Sequence, residues 1–415
     1  MRSLAAALLA LCLTGCNGYL RQTADIRKAY EASDHDKALL LLAKQKQDVS
    51  DDDKLLLLLD EGMLLHAASR FEESIKVLAD ADRLASQLET ISLTEEATTF
   101  ITNEGERAYK GEDFEKLMIS VLQALNYSAL GKDEDALVEV RRVNERVRKM
   151  IVDEKKPYEQ LAIAKYLAGA LWEDQRELDS AFIDYYEAYK LLPSLGPLAS
   201  ALLRTAKATG RQSQYDELRA KFPEASDAPL GPDHGEVLVV VEAGLSPEKQ
   251  SQQERREARY DRSGRLVAGP ELFDIPVYQD RWSHTPTTVS LRNDGAQQAV
   301  VVTSLSDVAK VHLQDRVGRM LLKQLGATAV KAGIAIGAGG VTKSEEVGLL
   351  TFLLLSMFNS ADTRSWLSLP AEFQLARMPA PSGKQVVQVT HKGSSSSHEV
   401  TVRPGRLSIV IARRY

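Results

Sequence analysis

Seven histidines, two cysteines and 58 aspartates and glutamates are the side chains from which this 415-residue chain could build a reaction. His35, His66, His234, His284, His312, His391 and His398 are scattered, and none sits at the HExxH spacing that puts two imidazoles and a base on one helix face. The pattern points away from a metalloenzyme and names neither a metal ligand nor a cofactor. No GxSxG elbow exposes a serine, and no GxGxxG follows a strand. The run Ser394 to Ser397 lacks a base-bearing motif and reads as a hairpin turn. Gly337-Ala338-Gly339-Gly340-Val341-Thr342-Lys343-Ser344 comes close to a phosphate-binding loop, but Thr342 stands where a glycine must precede the lysine. The preceding Val330 to Ile336 reads as helix rather than the strand that motif needs, so a flexible turn accounts for the residues more simply. Carboxylate pairs on helical segments read as a solvated face, and a hydrolase would need two of them converging in a cleft. Together these residues describe a non-enzyme.

The elements around them belong to an ordinary folded chain with an address. A formal charge of −6, from 52 Lys and Arg against 58 Asp and Glu, argues against a nucleic-acid partner, and 44% hydrophobic residues argue against disorder. Residues 1–16 read as a secretory signal, with Arg2 as a short positive start and Ala5 to Leu13 as an apolar run too short to span a bilayer. Cys12 lies inside that run and leaves with it. Cys16 is then the sole mature thiol, and nothing remains for a disulfide or a cysteine zinc site. Leu13-Thr14-Gly15-Cys16 resembles the lipobox of bacterial lipoproteins. The resemblance implies that Cys16 is acylated and becomes the mature N-terminus, and that Asn17, standing where inner-membrane proteins carry Asp, directs the protein to the outer membrane. An ordinary cleaved signal with a chance cysteine is the blander alternative.

Residues 17–223 read as all-α, a series of helical hairpins punctuated by polar clusters such as Ser33-Asp34-His35-Asp36. Leu58, Gly62, Leu65, Ser74, Leu78 and Ala81 fall at the large and small offsets of the tetratricopeptide repeat. Ala124, Tyr127, Ala136, Val140 and Val143 repeat them, and Gly169, Trp172, Ala181, Tyr185, Ala188 and Pro193 form the best copy. A small residue where two helices cross lets them approach while large ones fill the grooves beside it, so the pattern encodes a shape. A half-match near Ala38 and Leu42 and a degenerate helix pair from Pro197 to Phe222 make the two ends. The anchors Ala38, Ser74, Ala136 and Ala181 are unevenly spaced, which predicts an irregular stack rather than a regular superhelix. Such a stack offers a surface to a protein partner, or else serves as a spacer. Tyr185, Tyr186 and Tyr189, at helical spacing, read mostly as core.

Proline, glycine and small polar residues over 224–235 mark a linker, after which the apolar period becomes strand-like and residues 236–415 read as α+β with a β-rich end. Glu236 to Ala243 reads as a buried strand, Lys249 to Arg265 as a solvated loop or short surface helix, and Ala299 to Thr303 as another strand. A helix starts at Ser306-Asp307, and Glu372 to Arg377, Gln385 to Thr390, Glu399 to Val402 and Leu407 to Ala412 alternate like a meander. Residues 327–359 hold two apolar pieces split by Thr342-Lys343-Ser344-Glu345-Glu346, each too short for a single membrane span. Gly333 and Gly337 allow close helix contact, so a buried helical hairpin is the preferred reading and a membrane- or partner-docking hairpin the alternative.

Ser360 to Pro370, followed by the strand to Arg377, resembles the most recognisable stretch of a widespread, poorly characterised family of bacterial outer-membrane lipoproteins. The resemblance implies a tetratricopeptide-like N-terminal half joined to an α+β C-terminal half, and it implies a location rather than an activity. Within that signature it singles out Asp362, Arg364 and Trp366, either as a ligand-binding trio or, the preferred reading, as an Asp–Arg pair locking a turn beside a core tryptophan. The expectation is therefore a lipid-anchored, periplasm-facing scaffold that binds envelope proteins through the repeats and the outer membrane through Cys16. Peptidoglycan is a further expected partner, with a role in envelope or peptidoglycan assembly. A membrane-active part of a pore or export complex using residues 327–359 is the alternative, and an envelope hydrolase is less favoured.

Overall fold

Apolar side chains recur every three to four residues through the first half, and in the computed structural model each such run is a helix. The structure describes residues 18–96, 108–152, 161–256, 259–260, 266–268, 271–291, 294–317 and 362–415. The expected acylation site Cys16, the apolar segment 327–359 and the glycine-rich turn within it lie outside the described residues. The helices are α1 (Gly18–Gln22), α2 (Ala24–Glu31), α3 (His35–Gln45), α4 (Lys54–Ala67), α5 (Phe71–Glu96), α6 (Asp113–Ala129), α7 (Asp133–Val152), α8 (Ala162–Asp174), α9 (Leu178–Leu191), α10 (Ala199–Ala208) and α11 (Gln212–Lys221). Pro193 follows directly on the cap of α9, where a residue lacking an N–H cannot extend the helix.

The repeat is visible in the turns. Ser33, Ser69, Gly131, Arg176 and Gly210 have φ between 59° and 69°, and each sits at the bend of a helix pair. At all five the following residue donates its N–H to a carbonyl five positions back: Asp34 to Ala29, Arg70 to Leu65, Lys132 to Tyr127, Glu177 to Trp172 and Arg211 to Ala206. This left-handed cap consumes the orphan carbonyls of the first helix and aims the second back along it.

Within the pairs the small residues do the work expected of them. A Cβ on Gly62 would meet Leu78 Cγ at 2.7 Å, and one on Gly169 would meet Tyr185 Cδ1 at 2.6 Å. Ala81, Ala124, Ala136, Ala181 and Ala188 are buried. Ser74 is more than small, since its Oγ donates to Gly62 O at 2.7 Å and accepts from Asn126 Nδ2 at 2.9 Å, stitching one hairpin to the next. We expect Gly169→Ala to lose about 1–3 kcal/mol, because the Tyr185 ring it would strike is held by other bonds and cannot retreat. A urea midpoint unchanged from wild type would show that the crossing has slack.

The second half is built from strands. The first sheet has the order β12-β1-β9-β8, with β1 (His234–Ala243) and β9 (Glu372–Pro381) central, β12 (Leu407–Arg414) parallel to β1, and β8 (Val300–Ser304) at the edge. The second has the order β11-β10-β6-β7, from β6 (Thr288–Leu291), β7 (Asp294–Gln298), β10 (Gly383–His391) and β11 (Ser394–Val402). β2 (Glu248–Arg256) pairs with β5 (Glu271–Gln279), and the short β3 (Arg259–Tyr260) with β4 (Leu266–Ala268). A helix, α12, occupies 305–317, its start capped by Ser304 Oγ, which accepts from Asp307 N at 3.2 Å.

Alternation on β1 decides how the layers stack. Leu238 and Val240, with Phe373 and Leu375 of β9, join the core of the helices, while Val237, Val239 and Val241 face Val387, Val389 and Val289 of the second sheet. The helices, the first sheet and the second sheet therefore form three layers, and one apolar core runs without a break from Tyr19 of α1 to Leu375 of β9.

Three expectations are corrected. The last four strands are not a meander: β9 and β12 flank β1 in the first sheet while β10 and β11 lie in the second, and only β10 and β11 pair as neighbours in sequence. Residues 248–256 are a strand paired with 271–279, not a solvated loop or helix, and Lys249 is buried. The turn expected at Ser394 to Ser397 falls instead at Lys392 and Gly393, whose φ of 47° and 76° supply the two left-handed residues that a tight hairpin needs. The serines are strand, paired in register with Gln388 to His391.

Candidate functional site

Asp362, Arg364 and Trp366 lie on one turn that plugs the helices into the sheets. The Arg364 guanidinium forks onto Asp362, Nε to Oδ1 and Nη2 to Oδ2 both at 2.9 Å, and reaches Asp53 Oδ1 at 3.0 Å from Nη1. Trp366 has 0% exposure, its Nε1 donates to Ser368 Oγ at 2.9 Å, and its backbone N–H donates to Glu115 Oε1 at 2.7 Å. The trio is thus a locked turn beside a core tryptophan, with its donors turned inward.

Glu115 belongs to the same knot. Glu112 and Glu115 open α6 as a reciprocal capping box, and Glu115 Oε2 also accepts from Tyr109 Oη at 2.5 Å. Burial, and then the charge of Glu112, push Glu115 up to about 7. Burial opposes the charge on Glu112 too, but Lys249 and Arg316, each 2.6 Å from its Oε1, prevail and hold it well below the ordinary carboxylate range. The two carboxylates are split as a catalytic acid and base would be. Glu115 is only 1% exposed, and its oxygens are occupied by donors of the chain itself, which makes it a structural group.

The sign of its effect on stability follows from linkage. A carboxyl raised on folding holds its proton longer in the folded state, so stability falls as pH rises from about 4.5 to about 7. We expect that loss to be about 3 kcal/mol from this group and to be absent in Glu115→Gln. Denaturant titrations at pH 5 and pH 8 that give the same pH dependence in both proteins would contradict this.

A second knot joins α8, α9 and α10 to β1 and β9. Arg377 donates to Tyr185 Oη at 2.5 Å and to Glu173 Oε2 at 2.8 Å, and it also binds Glu236. Arg204 bridges the same acids at 2.7 Å to Glu173 Oε1 and 2.8 Å to Glu236 Oε2. Burial works to raise Glu173, but Arg377 and Arg204 overcome it and bring the carboxyl down to about 2. A third link is His66, which lies between Asn126 Oδ1 at 2.5 Å and Glu242 Oε1 at 2.9 Å with no exposed side-chain surface. Burial lowers this imidazole while Glu242 raises it, and the net direction is up. The ends of α8 are tied as well: Ile163 N donates to Thr303 Oγ1 at 3.0 Å, and Asp174 accepts from Arg406 and from Leu407 N.

Sequence reasoning missed Lys249, Glu112, Glu115, Arg377 and Glu236. The capping-box spacing of Glu112 and Glu115 was the one local signal, and it marks a helix start rather than a buried charge.

Two clefts among the described residues are small. One of about 180 Å³ is lined by Asp133, Asp174, Arg403 and Ser408, and another of about 200 Å³ by Ala162, Leu191, Thr303 and Val311. Pockets for organic ligands run from roughly 300 Å³ upward. Among the described residues no group of histidines, cysteines and carboxylates could hold a metal ion, and no helix is long and apolar enough to cross a membrane.

The surface is more informative on α9 and α11. Tyr185 is core, as expected for its spacing, but Tyr186 and Tyr189 are only half-buried. Phe182 stacks on Tyr186 at 5.4 Å, Tyr186 meets Tyr189 at 5.7 Å, and Tyr189 meets Phe222 at 5.9 Å. Cations lie over this aromatic ladder: Arg211 at 4.6 Å from Phe182, Lys190 at 5.0 Å from Tyr186 and Lys221 at 4.7 Å from Tyr189. Ile183 on the same helix is 50% exposed. Aromatic rings carrying cations beside an exposed aliphatic residue are the composition of a protein-contact surface.

No family model and no curated protein matches the chain. Two similar solved structures are of a kinesin light chain-type protein of Podosopora anserina with nearly identical TPR-like repeats, and of a point variant of it. They are 14% and 16% identical, with TM-scores of 0.33 and 0.32, and each comparison covers 48% of this chain and 91% of the other. Likeness at that level carries no argument about function. The repeat character of the first half rests on its five matching turns and its small-residue crossings.

Proposed function

We propose that the chain is a non-enzymatic protein-binding scaffold of a cell envelope. An acyl group on Cys16 holds it at the outer membrane on the periplasmic side, and an envelope protein binds across α9 and α11. The observation that carries the binding role is the aromatic ladder that runs from the buried Phe182 out through the half-buried Tyr186, Tyr189 and Phe222, with its stacked cations. Anchoring concentrates the protein at one surface, so a modest affinity suffices for occupancy there. Envelope or peptidoglycan assembly is the process this address and architecture suit. The knots supply rigidity, since each joins the helices to strands through side chains that are mostly buried.

The test is capture from membranes of cells making the native chain, set against Tyr186→Ala combined with Tyr189→Ala. Truncating half-exposed aromatics leaves the core of Tyr185 and Ala188 in place, so the thermal midpoint should stay within a few degrees of wild type. Contact aromatics of this kind are worth about 1–2 kcal/mol each to an interface, and specific partners should fall about tenfold or more in recovery. Equal recovery from both forms would remove the ladder from the binding site.

A further inference from the structure

Three residues past Cys16 the chain is already fixed. Tyr19 is 3% exposed, and its hydroxyl donates to Asp60 Oδ2 at 2.7 Å. Ser368 Oγ donates to Asp60 Oδ1 at 2.6 Å and accepts from Trp366 Nε1 at 2.9 Å, so the first turn of α1 is tied to the 362–368 turn more than 300 residues away. Tyr30 of α2 donates to Ser368 O at 2.9 Å, and Thr23 Oγ1 donates to Tyr19 O at 2.7 Å, which clamps α1 and α2 onto the same spot. Burial raises Tyr19 well above its ordinary range and raises Asp60 as well, so the tyrosine stays a neutral donor. Three residues fully extended span about 10 Å.

We infer that the acylated chain has no free linker and is seated on the lipid headgroup surface by its α1–α2 end at a fixed orientation. This rests on acylation of Cys16. Arg21, Gln22, Ala24, Asp25, Lys28 and Glu31 are the exposed side chains of α1 and α2, two cationic and two anionic among them, so the tether and not a basic patch sets the seating. The helices then pack in chain order from α1 to α11, and the aromatic ladder sits at the other end of that series of contacts. The short tether holds the anchored end at the bilayer and leaves the binding end free for a partner.

The experiment uses the full lipoprotein in phosphatidylethanolamine–phosphatidylglycerol vesicles carrying a few nickel-chelating headgroups. Spin labels are placed singly at Asp25→Cys and at Ser213→Cys, both exposed. Intact mass first establishes the acyl group. Nickel-induced relaxation should be several-fold stronger at position 25 than at 213, and twelve Gly and Ser residues inserted after Asn17 should abolish the difference. An acylated, vesicle-bound protein with equal relaxation at both positions, or with a contrast that survives the spacer, overturns the fixed seating and leaves the lipid anchor standing. A mature chain without the acyl mass overturns the anchor itself and the seating with it.

Discussion

Arg377→Ala should destabilise the protein by about 3–5 kcal/mol at neutral pH, the usual cost of removing one partner from a buried ionic cluster. The guanidinium binds Glu173, Glu236 and Tyr185 at once, and without it two buried carboxylates share Arg204 alone. Lysine is no substitute, since its single nitrogen cannot span acceptors that Arg377 meets with Nε, Nη1 and Nη2 separately. The sign of the pH dependence is fixed by Glu173. Its carboxyl is brought from about 4.5 to about 2 in the folded chain, so its contribution is present above pH 4.5 and lost as pH falls through 2. The gap between wild type and Arg377→Ala should therefore be widest near neutrality and narrow on acidification. Because Arg377 joins β9 to α8 and α9, helical and near-ultraviolet signals should move together in urea. A variant in which the helices melt while the sheets persist would show that the core does not couple the two halves.

Trp366→Ala should cost a further-reaching 3–5 kcal/mol, roughly the range for truncating a fully buried large aromatic ring. The indole is the largest of the fully buried side chains and fills the junction where the 362–368 turn enters the helices. Its loss would also leave Ser368 Oγ without the indole donor. Trp366→Phe keeps most of the ring and loses only the Nε1–H bond, so about 1 kcal/mol is expected. Urea midpoints of the two variants separate packing from hydrogen bonding. If both lose partner capture at full stability, the trio of Asp362, Arg364 and Trp366 is a binding site and not a locked turn.

Much of the helical half was legible because its rules are local. Gly62 and Gly169 fall where a helix crosses its partner, and the alanines follow at fixed offsets along the same hairpin. The five matching turns were half-legible: Gly131 and Gly210 are of the residue type that adopts a left-handed conformation freely, and Ser33 lies in a polar cluster that marks a break, whereas nothing in the sequence marks Ser69 or Arg176 as left-handed. Strands β1, β8, β9, β10 and β12 could be read from β-branched alternation. Their partners could not, because register is set across hundreds of residues. Lys249 among Glu, Gln and Arg reads as solvated, and only the fold brings it to Glu112, 137 positions away, where the pair is buried together. The same holds for Arg377, whose place on a strand was visible while its contacts with Glu173 and Tyr185 on the helices were not. The tyrosines of α9 show the opposite limit. Helical spacing put most of them in the core, and only Tyr185 is fully buried there, with Tyr186 and Tyr189 half outside it.

Site-specific photo-cross-linking in native membranes tests the scaffold most directly. A photoreactive residue at Ile183, 50% exposed beside the ladder, is compared with one at Val138, 42% exposed on α7. A partner seated on α9 and α11 gives a discrete cross-linked polypeptide at 183 that is missing at 138 and disappears when Tyr186 and Tyr189 are both alanine. No cross-link at 183, or the same products from both positions, would contradict a partner-binding surface on α9 and α11.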